Sequence, residues 1–273
     1  EKGAKERRYP ASTTKMMTII TALEAGNMND VVTVSPNAAN TEGSSMELVG
    51  AEKMKMQDML YGVALVSGND ATVAIAEHIA GSVSNFAKLM TNKAHDIGAL
   101  NTNFTNSSGL PDPNHYSTAY DLARIAAYGY KNPKFAEIVG TKRKFIPRAN
   151  NQNEMFDNEN KLLRIYTGAN GVKTGYTNAA GRCLVSAAKR GRVQLIAVVL
   201  DADFMWQDSM ALLDYGFNQL QEKRIVRAGD FVDMVRVDYG ITEVTRAVVS
   251  DNLFVPVTQR NRDEFRTVYE ISK

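Results

Sequence analysis

The 273-residue sequence has a single cysteine, Cys183, so the chain forms no internal disulfide. It has only three histidines, and their spacing matches neither a zinc site nor a His-Glu-x-x-His helix. No glycine-rich phosphate loop of a standard pattern occurs. These absences predict a protein without metal or cofactor. They favour structural or surface positions for the three histidines, which are His78, His95 and His115.

The sequence also lacks a large excess of charge of one sign, and it has no long apolar run. The formal net charge is +2, and the short basic clusters at 142–144 and 189–192 are not interleaved with aromatic residues. Nucleic-acid binding is therefore not indicated. No apolar run approaches the roughly 20 residues of a membrane-spanning helix. With 44% hydrophobic and 23% charged residues, the composition is typical of a globular protein, and the length predicts one large domain and a small one.

The sequence does contain a Ser-x-x-Lys pair at the start of a predicted helix. Ser12 and Lys15 precede apolar residues at helical spacing, and Gly26 ends that pattern. A serine needs a base to take its proton, and a lysine one turn onward lies on the same helix face. The positive end of the helix dipole favours the neutral form of that lysine. The alternative is that Ser12 only caps the helix and Lys15 is a solvated surface charge.

A second pair with the same spacing, Ser186 and Lys189, provides an internal control. It lies in a stretch that predicts a β-strand, residues 182–188, ending at a basic turn. Residues three apart on a strand point to opposite faces of the sheet. We therefore predict that these two side chains do not act together.

The remaining pattern predicts a mostly helical centre followed by β-structure. A helix is expected over 84–97, and polar residues at 150–160 predict a loop. Residues 182–188 and 193–200 predict a hairpin, and a helix stripe follows at 206–220. Strands followed by a packing helix indicate an antiparallel sheet covered by helices. Further strands are predicted over 231–237, 244–249, 253–257 and 265–271.

Two triplets complete a constellation with the first pair. Ser-Gly-Asn at 67–69 falls in a tight turn between predicted helices, where a hydroxyl can relay a proton and an amide can hold a peptide. Lys-Thr-Gly at 173–175 falls on a predicted strand, where the first two residues can bind a carboxylate and the glycine permits close approach of a backbone. The other Ser-x-Asn triplets, 35–37 and 250–252, lack the helix–helix context or the chain order.

This ordered set of motifs resembles the penicillin-recognising serine enzymes. The chain looks like a serine-type D-alanyl-D-alanine carboxypeptidase of the low-molecular-mass penicillin-binding protein family. The likeness covers nearly the whole chain and is carried by residues 9–18, 65–71, 109–111, 115–118, 160–163, 171–177 and 180–182.

The resemblance implies an α/β (α+β) fold of the penicillin-binding/β-lactamase kind. We expect an antiparallel sheet covered by helices, a mostly helical subdomain and a small C-terminal β domain. Residues 1–222 would form the D,D-peptidase domain, with the helical subdomain at about 24–150. Residues 223–273 would form the β-rich domain, which we expect to be truncated.

The resemblance also implies catalytic roles. Ser12 would attack the carbonyl between two terminal D-alanines of a peptidoglycan stem peptide, and Lys15 would take its proton. Ser67, assisted by Lys173, would pass a proton to the leaving amine. The backbone N–H groups of Ser12 and Tyr176 would stabilise the oxyanion. Water would then hydrolyse the acyl-enzyme, whereas a β-lactam would leave a lasting acyl group.

Substrate binding is implied on the strand side. Thr174 and Lys173 would bind the terminal carboxylate, and Asn69 would hold the substrate amide. The substrate would lie beside Gly175 and Tyr176 as an added β-strand. Tyr176 is a departure from the histidine that the family resemblance implies for relatives at this position, so the turnover rate is expected to differ.

The implied partners are stem peptides ending in D-Ala-D-Ala, with β-lactams as inhibitors and no nucleic acid. The implied location is extracytoplasmic, in the bacterial envelope at the outer face of the cytoplasmic membrane or in the periplasm. Peripheral membrane attachment through a segment after Lys273 is a further expectation, and sheet strands normally precede the Ser-x-x-Lys helix in this family.

Two alternatives stay open at this point. A β-lactamase would need a deacylating glutamate before Lys-Thr-Gly, and Glu154 and Glu159 are the local candidates. Residues 160–163, Asn-Lys-Leu-Leu, favour the carboxypeptidase. A non-catalytic β-lactam sensor or scaffold is disfavoured because a pure binder has no need of all four polar residues Ser12, Lys15, Ser67 and Lys173.

Overall fold

A computed structural model describes residues 2–148, 153–238, 243–259, 261 and 264–270. The chain divides into two compact units. The larger comprises Glu1–Lys189 and Leu195–Leu213, and the smaller comprises Arg190–Gln194 and Asp214–Lys273. The predicted boundary at 222/223 and the helical subdomain at about 24–150 stay predictions, and residues 149 and 150 lie outside the described residues.

The larger unit is rich in helices. Its Ser-x-x-Lys segment forms a 3-10 turn, Ala11–Thr14, which continues into helix α1, Lys15–Ala25. Side-chain oxygens of Ser35, Ser82, Thr118 and Asn132 accept N–H bonds where later helices begin. The helices after α1 are α2 Pro36–Ala39, α3 Met56–Leu65, α4 Asn69–Ala80, α5 Val83–Asp96, α6 Ala119–Gly129, α7 Pro133–Gly140, α8 Leu162–Ile165 and α9 Met205–Gln219.

Helix α1 is the centre of the hydrophobic core. Every residue from 15 to 22 is buried, as expected for a helix surrounded by other elements. Its neighbours are α3, α4, α5 and α6. Burial of α1 on all sides fixes the position of the turn that precedes it.

A three-stranded antiparallel sheet carries the predicted Lys-Thr-Gly triplet, residues 173–175, on its first strand. Its strands are β5 Ala169–Thr177, β6 Gly181–Arg190 and β7 Val193–Val199, in the order β5-β6-β7. Two small antiparallel pairs lie elsewhere, β1 Val31–Thr33 with β2 Lys53–Lys55, and β3 Arg143–Pro147 with β4 Asn153–Asp157. The predicted mixed fold, with an antiparallel sheet and covering helices, is confirmed.

Strand β4 corrects the loop predicted over 150–160. Residues 153–157 pair with β3, and residues 150–152 lie outside the described residues. Only Phe156 is buried in β4. The strand therefore shows no alternation of apolar and polar residues, which is the pattern that would have indicated it.

The smaller unit is built of β-pairs. Strand β8, Gln221–Val226, pairs with β11, Leu253–Val257, and β9, Phe231–Arg236, pairs with β10, Val244–Val248. The strand predicted over 265–271 is wrong for residues 265–270, which have no regular structure, and Ile271 lies outside the described residues. Phe265, Val268 and Tyr269 are exposed, so they bury no common face.

Candidate active site

Lys15 is a fully buried lysine at the start of α1. Its Nζ lies 2.8 Å from Ser12 Oγ and donates to Asn69 Oδ1 at 2.7 Å and to the Ser108 carbonyl at 2.8 Å. The side chain of Ser12 caps neither the 3-10 turn nor α1. The alternative of a capping serine and a solvated lysine is therefore wrong.

The surroundings of Lys15 favour its neutral form. Burial lowers the pKa of Lys15 well below its usual value, and the charge of Lys173 lowers it further, while Glu159 and Asp70 partly oppose both effects. A neutral amine has two N–H donors and one lone pair. Asn69 Oδ1 and the Ser108 carbonyl accept the two N–H bonds, which leaves the lone pair for the hydroxyl of Ser12.

The turn that carries Ser12 depends on a glycine almost a hundred residues away. A Cβ on Gly109 would lie 1.9 Å from the Ala11 carbonyl oxygen, and Gly109 has a φ of +86°. Ala11 itself has a φ of +46°, which is unusual for a residue with a side chain. Ser108 is a site residue that the sequence does not single out, and Gly109 stands there only within the 109–111 stretch that carries the family likeness.

Ser67 and Asn69 approach from the junction of α3 and α4. Ser67 has a φ of +63° and is buried, and its Oγ has no hydrogen-bond partner among the described residues. Asn69 is held by its Nδ2 donating to the Glu42 carbonyl at 2.6 Å. The junction thus supplies Asn69 Oδ1, which accepts a hydrogen bond from Lys15, and the unpartnered hydroxyl of Ser67, whose own backbone is strained.

Strand β5 forms the opposite wall. The buried Lys173 Nζ donates to the carbonyl and Oγ1 of Thr174 at 3.2 and 3.3 Å, and burial lowers the pKa of Lys173 to about 8, an effect that Glu159 opposes. A Cβ on Gly175 would lie 3.0 Å from the backbone nitrogen of Ser12, so this glycine lets β5 approach the 3-10 turn. Tyr176 is exposed, and its hydroxyl donates to Asn178 Oδ1 at 3.1 Å.

His115 contacts the last residue of the 3-10 turn that carries Ser12. Its Nδ1 accepts the N–H of Thr105 at 3.1 Å, so its Nε2 carries the hydrogen that points at Thr14 Oγ1, 2.8 Å away. Burial lowers the pKa of His115 to about 4, which keeps the ring neutral. The structural position predicted for this histidine agrees with its contacts.

The second Ser-x-x-Lys pair is separated as predicted. Ser186 is buried on β6, where its hydroxyl donates to the Ala197 carbonyl at 3.3 Å, whereas Lys189 is exposed. The same spacing therefore produces a reactive geometry only at the helix start.

Comparison with known proteins identifies the family of the chain. The model of the D-alanyl-D-alanine carboxypeptidase family matches residues 1–204. The chain belongs to this family. It is 36% identical over 270 residues to the D-alanyl-D-alanine carboxypeptidase DacF of Bacillus subtilis, with 96% of this chain and 69% of the relative covered.

Solved structures of other D,D-peptidases agree with the family assignment. Penicillin binding protein 5 from Haemophilus influenzae is 34% identical with a TM-score of 0.78, covering 96% of this chain and 78% of that one. A mutant of the Streptomyces K15 DD-transpeptidase is 32% identical with a TM-score of 0.75, covering 80% and 91%. The resemblance stated from the motifs is confirmed, and the protein is a serine-type D-Ala-D-Ala carboxypeptidase, a hydrolase.

The family acts on D-Ala-D-Ala peptides of peptidoglycan and is inhibited by β-lactams through a serine acyl-enzyme, which places its chemistry outside the cytoplasm. In the part of the carboxypeptidase that the structure describes, no helix is both long and apolar enough to cross a bilayer.

The β-lactamase alternative named two glutamates as candidates for deacylation. Glu154 pairs with Arg148 at 3.1 Å, and Glu159 accepts a hydrogen bond from Thr174.

Proposed function

We propose that this carboxypeptidase uses Ser12 as its nucleophile to release the terminal D-alanine from peptidoglycan stem pentapeptides. The observation that carries the proposal is the buried Lys15 Nζ, 2.8 Å from Ser12 Oγ. A lysine in this position acts as a base only when neutral, and burial favours that form because it lowers the pKa of Lys15.

In the acylation step, Ser12 Oγ attacks the carbonyl between the two D-alanines while its proton moves to Lys15. The bonds from Lys15 to Asn69 and Ser108 orient the lone pair toward the hydroxyl. The backbone N–H groups of Ser12 and Tyr176 would face the developing oxyanion, and the close approach at Gly175 brings β5 to the turn of Ser12.

In the departure of D-alanine, Ser67 passes a proton to the leaving amine with help from Lys173. The buried Ser67 Oγ has no hydrogen-bond partner within the described residues, so a relay through this hydroxyl does not have to break an existing bond. A hydroxyl can accept one proton and donate another in a single step, which is what a relay requires. Water then cleaves the ester to Ser12 and returns the enzyme.

The substrate is held along β5. This strand pairs with β6 and stands at the end of the sheet order, so a peptide can add along its other edge. Lys173 and Thr174 bind the terminal carboxylate, and Asn69 holds the amide before the scissile bond. The location proposed for this chemistry is the outer face of the cytoplasmic membrane or the periplasm. Membrane attachment through a segment after Lys273 stays a prediction.

The decisive experiment compares Ser12→Ala with Ser186→Ala, which removes the hydroxyl of the unproductive pair. We expect Ser12→Ala to abolish both D-alanine release and the mass adduct of benzylpenicillin, and Ser186→Ala to retain both. An adduct that persists on Ser12→Ala would refute the assignment.

The same assay separates neighbouring activities. Rapid β-lactam hydrolysis without D-alanine release would indicate a β-lactamase, and β-lactam binding without either activity would indicate a sensor. An added amino-acid acceptor distinguishes hydrolysis from the acyl transfer named for the Streptomyces relative. We expect hydrolysis to dominate.

A further inference from the structure

A glutamate stands at the carboxylate-binding wall of the site without a role in the steps above. Glu159 Oε2 lies 3.4 Å from Thr174 Oγ1, which donates to it, and 4.0 Å from Lys173 Nζ. Among the described residues, it is the one carboxylate within ion-pair distance of Lys173. Its side chain therefore contacts the same two donors that the proposed function assigns to the terminal carboxylate of the substrate.

The main chain of Glu159 is held firmly while its side chain is not. The Glu159 N–H donates to the Leu65 carbonyl at 3.0 Å, close to the α3–α4 junction. On either side, the Asn158 Nδ2 donates to the Thr141 carbonyl at 2.9 Å, and Asn160 Oδ1 accepts the N–H of Leu162 at 3.1 Å. In contrast, the Glu159 side chain is 48% exposed and has no further hydrogen bond among the described contacts. It can rotate into solvent without moving the backbone.

Two carboxylates cannot share this pair of donors without a cost. Lys173 is buried and can offer few donors, and a second carboxylate beside Glu159 would meet like-charge repulsion, which solvent at the 48% exposed Glu159 side chain reduces but does not remove. We propose that Glu159 occupies the carboxylate-binding pair Lys173/Thr174 in the free enzyme and must be displaced by the terminal carboxylate of a substrate. Glu159 is in this way a specificity-determining residue that lowers affinity for peptides with a free C-terminus.

This inference rests on the proposed function, because it takes Lys173 and Thr174 as the groups that bind the terminal carboxylate. It has an unusual consequence: removing a charged side chain from the mouth of the site strengthens substrate binding. A structural role for Glu159, as a partner that steadies Lys173, predicts the opposite sign.

The test measures binding rather than turnover. In a Ser12→Ala background, calorimetry gives the Kd of a stem peptide ending in D-Ala-D-Ala and of the same peptide with a C-terminal carboxamide. We expect Glu159→Gln to tighten binding of the free acid about three- to tenfold and to change binding of the carboxamide less than twofold. Glu154→Gln is the matched control, since it removes the same charge from an exposed glutamate five residues away that pairs with Arg148.

Three results would overturn the inference. They are weaker binding of the free acid to Glu159→Gln, an equal change for acid and carboxamide, and the same gain from Glu154→Gln. Failure of the proposed function looks different, because D-alanine release that survives Ser12→Ala refutes the nucleophile whatever Glu159 does. If Lys173 and Thr174 do not bind the terminal carboxylate, the Ser12→Ala protein that keeps Glu159 will bind the free-acid peptide and the carboxamide peptide equally.

Discussion

The two walls of the site each contain one buried lysine, and the two lysines differ in their partners. Lys15, on the helix side, contacts groups from three segments of the chain, Ser12, Asn69 and Ser108. Lys173, on the strand side, donates only to the adjacent Thr174 among the described hydrogen bonds and faces the carboxylate of Glu159.

The difference shows how one residue type can serve two purposes in one site. Burial lowers the pKa of both lysines, but the positive charge of Lys173 lowers the pKa of Lys15 further. The pKa of Lys173 falls only to about 8, with Glu159 opposing the effect of burial. The lowered pKa suits Lys15 to accept a proton, whereas Lys173, with a pKa of about 8, stays largely charged near neutral pH and is suited to bind an anion.

The largest effect is expected from the proposed base, Lys15. We expect Lys15→Met to lower kcat/KM for D-alanine release about 1,000-fold, because general bases contribute roughly 10²- to 10⁴-fold. Steady-state kinetics checks this, and circular dichroism confirms that the variant folds. Lys189→Met is the matched control, since it removes the exposed lysine of the second pair. A tenfold loss or less would assign the proton to another group.

The charge of Lys173 predicts an alkaline limit. As the pH rises through about 8, Lys173 loses the proton that its proposed role as an anion binder requires, so KM for a free-acid peptide should be about tenfold higher at pH 9 than on its plateau. The matched carboxamide should show no such rise. Lys173→Arg, which stays charged, should move the limit upward. An unchanged limit in this variant would exclude Lys173 as its source.

The smallest effect is expected at Thr174. Thr174→Val removes one hydroxyl donor while keeping the shape of the side chain, and a single hydrogen bond contributes about 1 kcal/mol. We expect KM for the free-acid peptide to rise about fivefold and kcat to stay within twofold. A fall in kcat with KM unchanged would instead place Thr174 in the chemical step.

Much of the site is predictable from the sequence because its parts are local patterns. The helix start at Ser12, the turn at Ser67 and the strand at Lys173 each have a recognisable period or turn signal. Their order along the chain resembles that of the penicillin-recognising serine enzymes, and this resemblance implies that they meet. The pair Ser186 and Lys189 is set aside on the same kind of evidence, because its sequence predicts a strand and not the start of a helix.

The rest depends on contacts between distant segments, which no local period records. The Ser108 carbonyl is 93 residues from Lys15, and the need for glycine at position 109 arises from the backbone of Ala11. The β3–β4 pair was missed because it buries little of β4 beyond Phe156. Glu159 was visible only as a candidate for a different enzyme class, because its relation to Thr174 is set by the fold.

The bonds that converge on Lys15 also determine when a growing chain becomes active. Asn69 and Ser108 lie 54 and 93 residues after Lys15, and β5 follows later still. A nascent chain that has made only α1 has a serine and a lysine but no reactive pair, because the groups that orient Lys15 have not yet been synthesised. Covalent labelling by penicillin therefore reports molecules folded through β5, so a pulse of labelled penicillin during synthesis or refolding counts completed enzyme.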